Sequence, residues 1–436
     1  MLAYYFKLAI RSFKRNRILT ALMVLAIALG IGATMTTLTV YHVLSGDPIP
    51  QKSGKLFYPR LDPRPLPKNK ADDSDPEPPE QMTRYDAEAL LHEHRGDRQA
   101  MMTSGVPVVE HPRTHRKLVP QGRYTSADFF PMFDAPFRFG GPWGAVDDVA
   151  KAQVVVLSDA FNNKYFGGEN SVGRELAIGD APFRVIGVLK PWALQPKFFD
   201  MTSDRYGDME DLYLPISTAL DRKLDTQGSM NCWDDFGADD SRGLNVPCGW
   251  LQYWVELDSP QKVAAYREYL DNYSRVQKQS GRYQRAPNTR LHGVMEWLEV
   301  RKAVPSDVRL QMWLAFGFLA VCLLNTIGLL LAKFLRRSGE YGVRRALGAS
   351  RRAIFLQCLV EASIVGFVGG VIGVLLAAFG TWLVRQQPDS YAQLVRLDLP
   401  MLLLAFVLAF AASLLSGALP AWRASRVAPA IQLKSQ

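Results

Sequence analysis

Ser338-Gly-Glu-Tyr-Gly-Val-Arg-Arg-Ala-Leu-Gly-Ala-Ser-Arg-Arg352 separates two long apolar runs, and its reading decides the fold. The run before it, Met312 to Ala332, is almost wholly apolar and long enough to cross a bilayer core of about 30 Å. The run after it, Ile354 to Val384, is apolar again, broken only by Glu361 and a row of glycines. Between them Val343, Ala346 and Leu347 fall at i, i+3 and i+4. A helix gathers these on one apolar face and turns Arg344 and Arg345 elsewhere. Gly348 stands where a helix would stop in a left-handed turn, and Ser350 can cap the helix that follows. The stretch predicts a membrane span, a short basic surface helix and a second span. An apolar ridge with basic flanks suits docking into a groove of a cytoplasmic partner.

The charge distribution orients these spans. The chain of 436 residues is 48% hydrophobic and carries a net charge of +9, a balance that by itself would suit nucleic acid. Its cations gather in three places, however. Lys7, Arg11, Lys14, Arg15 and Arg17 lie at the start; Lys333, Arg336, Arg337, Arg344, Arg345, Arg351 and Arg352 surround the central motif; Arg423, Arg426 and Lys434 lie at the end. The remainder is mildly acidic. Basicity confined to the ends of apolar runs is what the positive-inside rule expects of cytoplasmic segments, and no nucleic-acid partner is expected.

Residues 1–17 alternate apolar and basic side chains and read as an amphipathic helix on the cytoplasmic membrane face, in contact with lipid. Residues 18–44 form the first span. A basic-then-apolar start is also the pattern of a cleavable signal, but this run exceeds the roughly 7–15 residues of a signal core, which favours a retained anchor. Residues 45–306 hold no run long enough to span and make an extracytoplasmic domain. Its Pro-rich start, Asp62 to Glu80, reads as an extended, mobile loop. Val154–Leu157 reads as a buried strand, and Asp159–Phe166 as a helix ended by Gly167-Gly168. Arg174–Ile178 and Phe183–Leu189 read as a hairpin about Gly179-Asp180, and Leu251–Leu257 as another strand. Pro260–Ser280 reads as a helix with Val263, Tyr266, Leu270 and Tyr273 on one side. Such a mixture predicts a compact α+β domain, in two lobes divided near 217–249. Residues 307–335 are the second span, with 298–311 as an outward stalk that Pro305 kinks or starts. The surface helix takes 336–352, the third span 353–384, a short external loop 385–398, the fourth span 399–419 and a cytoplasmic tail 420–436. The fold class expected is a membrane protein of four transmembrane α-helices, with a large α+β domain between the first and second.

Few residues point to chemistry. Cys322 and Cys358 lie in or beside spans as small hydrophobes. Cys232 and Cys248 lie in a compartment that permits oxidation, so a disulfide is expected there, against the alternative of two buried thiols. His92 with His94, and His111 with His115, lack zinc-site spacing, and Asp234-Asp235 with Asp239-Asp240 lack the alternation of a calcium loop. No metal is expected. The chain has no Gly-x-x-x-x-Gly-Lys-Ser/Thr phosphate loop and no Gly-x-Ser-x-Gly elbow, so no cofactor is expected on it and it reads as non-catalytic. In the third span Gly366 with Gly370, and Gly369 with Gly373, make overlapping Gly-x-x-x-Gly pairs that allow close backbone packing, within one subunit or across a dimer. Glu361, about two turns inside the same span, needs a partner and is expected to find one among the basic residues of the cytoplasmic loop. Asn325 in the second span is placed to hydrogen-bond between helices.

Glu340 to Gly373, with its Glu-Tyr-Gly-Val-Arg-Arg-Ala-Leu-Gly-Ala-Ser-Arg-Arg, Glu361-Ala and Gly369-Gly-Val-Ile-Gly373, resembles the signature of FtsX-like, MacB-type ABC transporter permeases. Val154 to Gly168, continued by Val172-Gly-Arg-Glu-Leu and Phe183-Arg-Val-Ile-Gly-Val188, resembles the family's periplasmic core, and Pro420 to Pro429 its C-terminal end. The resemblance implies four spans in a bacterial inner membrane with a periplasmic domain. It also implies a complex of two permease subunits, identical or paralogous, with a dimer of ABC ATPase that binds ATP and Mg. Glu340, Tyr341, Val343, Arg344, Arg345, Leu347, Gly348 and Ala349, followed by Ser350 and Arg351, would be the coupling helix seated on that ATPase. ATP hydrolysis would then move the periplasmic domain (mechanotransmission) for efflux or export, with a periplasmic adaptor and an outer-membrane channel as further partners. Some members carry a fused ATPase; here a separate one is expected. Two readings share this architecture: a regulator of a cell-wall hydrolase and a lipoprotein-extracting transporter. The Pro-rich segment and the Cys232–Cys248 region look unusual for the family core.

Overall fold

The computed structural model describes residues 8, 12–13, 16–67, 76–110, 116–203, 205–237, 240–388 and 391–426. The expected amphipathic helix over 1–17 lies largely outside them, as do residues 427–436 of the tail. The chain divides into two compact units, Met1–Gly46 with Val304–Gln436, and Asp47–Ala303.

Among the described residues, the first unit contains four helices long and apolar enough to cross a membrane: Arg17–Ser45, Ser306–Arg336, Arg351–Val384 and Leu399–Ser425. Leu22, Leu25, Trp313, Val321, Phe367 and Phe410 remain exposed on their outer faces, a distribution that suits lipid as solvent and would be unfavourable in water. The third helix is the centre of the bundle because its glycines let two neighbours approach. A Cβ on Gly369 would come 2.9 Å from Ile27 and one on Gly373 would come 3.0 Å from Ile31, both in the first helix. One on Gly366 would overlap Ser413 and one on Gly370 would come 2.6 Å from Ala409, both in the fourth. These pairs therefore serve packing within the chain. Thr34 and Thr39 donate their hydroxyls to Gly30 O and Met35 O, one turn back, which satisfies them inside the apolar bundle.

Two boundaries differ from expectation. The second span starts at Ser306, with Pro305 immediately before it; Val294–Val300 is a separate helix ended by a turn in which Lys302 takes φ +50. The predicted outward stalk over 298–311 is therefore broken by that turn. The fourth helix runs through Pro420 to Ser425 instead of stopping at 419. Buried Ala421 and Ala424 pack against the bundle and carry the helix past the missing N–H.

In the second unit one sheet of fifteen strands organises the fold. The strands are β1 (Leu56–Arg60), β2 (Met82–Thr83), β3 (Arg98–Gly105), β4 (Val109–Glu110), β5 (Lys117–Leu118), β6 (Gly122–Thr125), β7 (Phe137–Gly140) and β8 (Val154–Leu157). They continue with β9 (Glu175–Ile178), β10 (Ala181–Leu189), β11 (Leu212–Pro215), β12 (Thr226–Gln227), β13 (Asn231–Cys232), β14 (Cys248–Glu256) and β15 (Arg290–Gly293). Their order is β15-β1-β14-β3-β6-β11-β8-β10-β9-β4-β5, with β12 on β3, β2 and β13 on β14, and β7 on β10. Pairing is antiparallel except for β6 with β11 and β8 with β10. The expected hairpin is β9–β10, with Ala181 opposite Ile178 and Gly179 at φ +60.

Both faces of the sheet are covered. Val155, Leu157, Leu212, Leu214, Tyr253 and Val255 point into one core, which the helix Pro260–Gln279 closes with Tyr266, Leu270 and Tyr273. Val154, Val156, Tyr213 and Trp254 point into the other, filled by Phe129, Phe133, Phe198, Phe199 and Trp297. Alternation by strand period sends neighbours to opposite cores, so a strand buried on both sides reads as a continuous apolar run. The predicted division into two lobes at 217–249 does not occur. Within that segment β12 joins β3 and β13 joins β14, so it is stitched into the continuous sheet.

The Pro-rich segment also differs. Of Asp62 to Glu80, residues 68–75 lie outside the described set, but both flanks are fastened. Tyr58 donates to Glu80 O at 2.6 Å, Arg64 to Glu77 O at 2.6 Å, and Asn288 to the buried Asp62 at 3.1 Å. These polar contacts pin the flanks where no regular secondary structure forms.

Candidate functional site

After Arg336 the chain makes one turn and enters the short helix Ser338–Ala346. Leu347, Gly348 and Ala349 then reverse it into the third span. Gly348 has φ +99, a left-handed conformation that a side chain would strain. Ala349 N–H donates to Arg344 O at 3.0 Å, which satisfies a terminal carbonyl of the short helix. Ser350 Oγ accepts from Ala353 N–H at 3.2 Å and caps the third span at Arg351.

The short helix has two unlike sides. Tyr341 and Gly342 are buried against the bundle, and Arg344 donates to Gln357 Oε1 of the third span at 2.8 Å. Val343 is 53% and Leu347 82% exposed, with Ala346 exposed beside them. Leu347 is thus almost free of its own chain. Glu340 lies at the rim, paired with Arg337 at 2.9 Å, and Arg351 is exposed just past the turn.

Beneath this helix Glu361, only 2% exposed, is held from three sides. Lys333 Nζ lies 2.7 Å from Oε1, Arg337 lies 3.1 Å from Oε2, and Ser12 Oγ donates to Oε1 at 2.5 Å. Lys333 itself is buried and sits 4.7 Å above the Phe13 ring. The acid thus ties the second span, the short helix, the third span and the residues preceding the first span. A partner was expected among the basic residues around the central motif, and Lys333 and Arg337 both belong to that cluster, with Lys333 the nearer. The legible signal was a lone lysine and a lone glutamate at similar depth from the cytoplasmic ends of adjacent spans.

Asn325 does not meet another helix: it is exposed on the second span with no hydrogen-bond partner among the described residues. Cys232 and Cys248 are bonded and lie opposite each other in β13 and β14. Cys322 and Cys358 are free and buried. His92, His94, Asp234, Asp235 and Asp240 join no cluster of three metal-ligating side chains among the described residues. His111, His115 and Asp239 lie outside those residues.

One further charged group, not foreseen from sequence, lies in the sheet domain. Arg123 of β6 is fully buried, 2.7 Å from Asp200 and paired with Glu210, which Lys197 also approaches at 3.7 Å. Burial opposes ionisation of Asp200, but the Arg123 guanidinium and the hydroxyls of Ser104 and Thr202 hold its carboxyl well below the usual range. The group fastens Asp200 and Glu210 to the sheet and has the paired character of a structural lock.

Residues 20–273 match the family model for the MacB-like periplasmic core domain, and residues 312–429 that for the FtsX-like permease C-terminal region. An uncharacterized ABC transporter permease of Bacillus subtilis, YvrN, is 24% identical over 321 residues, covering 72% of this chain and 70% of its own length. The macrolide export ATP-binding/permease protein MacB of Syntrophobacter fumaroxidans is 25% identical over 398 residues, which cover 81% of this chain; the chain spans 52% of that relative's length. The crystal structure of the periplasmic region of MacB from Actinobacillus actinomycetemcomitans aligns with a TM-score of 0.37 and 15% identity, covering 59% of this chain and 97% of that one.

Proposed function

Because the chain belongs to the MacB-type, FtsX-like permease family, we propose that it is a non-catalytic inner-membrane permease subunit whose short helix Ser338–Ala346 docks on a separate ABC ATPase dimer. ATP and Mg would bind that partner. The observation that carries the reading is the exposed ridge of Val343, Ala346 and Leu347 on a helix anchored from behind by Tyr341 and by Arg344 on Gln357. An apolar edge that the chain leaves uncovered, on a helix between two basic span ends, fits insertion into a groove.

The Glu361 group makes the docked helix and three further segments one mechanical body, so a push on the helix reaches the second and third spans directly. Movement of the periplasmic sheet domain for efflux or export is the output we propose, through a periplasmic adaptor and outer-membrane channel. A second permease subunit, identical or paralogous, is proposed to lie against the exposed side of the second span, where Asn325 has an unmet amide among apolar residues. Affinity purification of the tagged chain in mild detergent tests the docking. A stoichiometric ABC ATPase that is lost in Leu347→Asp supports it, and an ATPase retained equally by that variant refutes it.

A further inference from the structure

At the cytoplasmic end of the membrane unit lies a polar cavity of about 470 Å³. Its walls bring together Asn16, which precedes the first span, Arg336 and Arg337 at the end of the second, and Gly339, Glu340 and Arg344 of the short helix. The apolar stretch of the second span closes at Ala332. Arg336 stands four residues on, about 6 Å farther along the helix axis, at the level of lipid phosphates and beyond the acyl chains. Asn16 holds the corresponding place before the first span. Beside these polar residues the two spans turn Ile18, 80% exposed, and Leu335, 51% exposed, outward.

The charges in the cavity are unequally committed. Arg337 is taken by Glu340 at 2.9 Å and by Glu361 at 3.1 Å. Glu340, the carboxylate of the lining, is offset by that pairing. Arg344 gives one N–H to Gln357 and keeps the others. Arg336 meets no carboxylate among the described residues. Gly339 sits in the first turn of the short helix, where backbone N–H groups lack intrahelical acceptors. Donors and positive charge are therefore in excess in the cavity lining, and the exposed Ile18 and Leu335 lie two residues from Asn16 and next to Arg336 along the chain.

We propose that this cavity seats the phosphate headgroup of an anionic phospholipid of the cytoplasmic leaflet, with Arg336 and Arg344 donating to the phosphate and the acyl chains lying along Ile18 and Leu335. Basic pockets between spans at this leaflet suit such headgroups, and guanidinium groups suit phosphate. The bound lipid joins the residues before the first span to the short helix, so it steadies the helix that carries the exposed ridge. The proposal rests on the topology that places the short helix inside, not on the identity of the docked partner. That topology is tested separately by labelling Leu347→Cys with a membrane-impermeant thiol reagent, which should react only in inside-out vesicles.

The experiment is native mass spectrometry of the full chain purified in mild detergent and mixed with equal amounts of dioleoyl phosphatidylglycerol or dioleoyl phosphatidylcholine. Phosphatidylglycerol should be retained in preference, and Arg336→Gln and Arg344→Gln should each weaken its retention about fivefold. Arg426→Gln, at the same membrane face but outside the cavity, should leave retention unchanged. Equal retention of the two lipids, or equal loss in Arg426→Gln, overturns the site. Displacement of the lipid by millimolar inorganic phosphate overturns the lipid assignment in favour of a free-anion site. Should Arg344→Gln fold poorly, Arg336→Gln alone decides, because its side chain is exposed.

Discussion

Replacing Glu361 by Gln tests the buried ion group most sharply. The carboxylate is 2% exposed and the Lys333 side chain that faces it is fully buried, with 2.7 Å between them. Glutamine keeps the shape and removes the charge. Arg337 would still have Glu340 at 2.9 Å, whereas Lys333, among the described residues, would keep no carboxylate, only a neutral amide oxygen and the Phe13 ring. Stranding one buried member of an ion pair costs about 3–5 kcal/mol, and that is the destabilisation expected of Glu361→Gln. Lys333→Met should cost less, about 1–2 kcal/mol, because Glu361 retains Arg337 and the Ser12 hydroxyl. The double variant removes both charges and should be more stable than Glu361→Gln alone. Unfolding of the full chain in mixed micelles by increasing SDS, followed by tryptophan fluorescence, gives these differences. Additive losses in the double variant, or a Glu361→Gln chain within about 0.5 kcal/mol of wild type, would refute the coupled group.

In the sheet domain, Arg123→Met strands Asp200 and Glu210 and should lower stability by about 3–5 kcal/mol, read as the unfolding midpoint in urea. Cys232→Ser opens the loop closed by the disulfide, a separation of 16 residues. It should cost about 3 kcal/mol and expose residues 233–247 to proteolysis, both measurable against the oxidised wild type. Burial raises the Asp148 carboxyl to about 6 despite its bonds from Ala127 N–H and Trp143. Its folded form therefore holds a proton that the unfolded form has released, and stability should fall as pH rises from about 4 to 6. Asp148→Asn should flatten the melting temperature across that window by the equivalent of at most about 3 kcal/mol; an unchanged slope would remove Asp148 as its source.

The parts of this molecule that were legible in sequence are those governed by local physics. Four apolar runs need only their own backbone hydrogen bonds to cross a membrane, so their existence followed from composition, and Gly348 and Ser350 announced the turn between two of them. The strand Val154–Leu157 and the helix Pro260–Gln279 followed from residue type and period. What was not legible depends on residues far apart in the chain. Arg123 meets Asp200 and Glu210 across long intervals of sequence, and nothing in the neighbourhood of any of the three marks it as buried. The continuity of the sheet through 217–249 rests on two-residue strands, too short to give a pattern. The fourth span was bounded at 419 by its apolar run, whereas the helix continues to Ser425 because packing at Ala421 and Ala424 outweighs the hydrogen bond that Pro420 removes. At the candidate site the ridge was visible as a spacing; that Val343 and Leu347 are left uncovered while Tyr341 is buried required the bundle.

The central claim is that the short helix is a docking element, and a photoreactive residue placed at Leu347 tests it most directly. Irradiation of cells should join the full chain to an ABC ATPase from position 347 and from position 343, while the same group at Leu335, beside the lipid, should not. Absence of an ATPase adduct from 347 and 343, or adducts of equal yield from 335, would contradict the account.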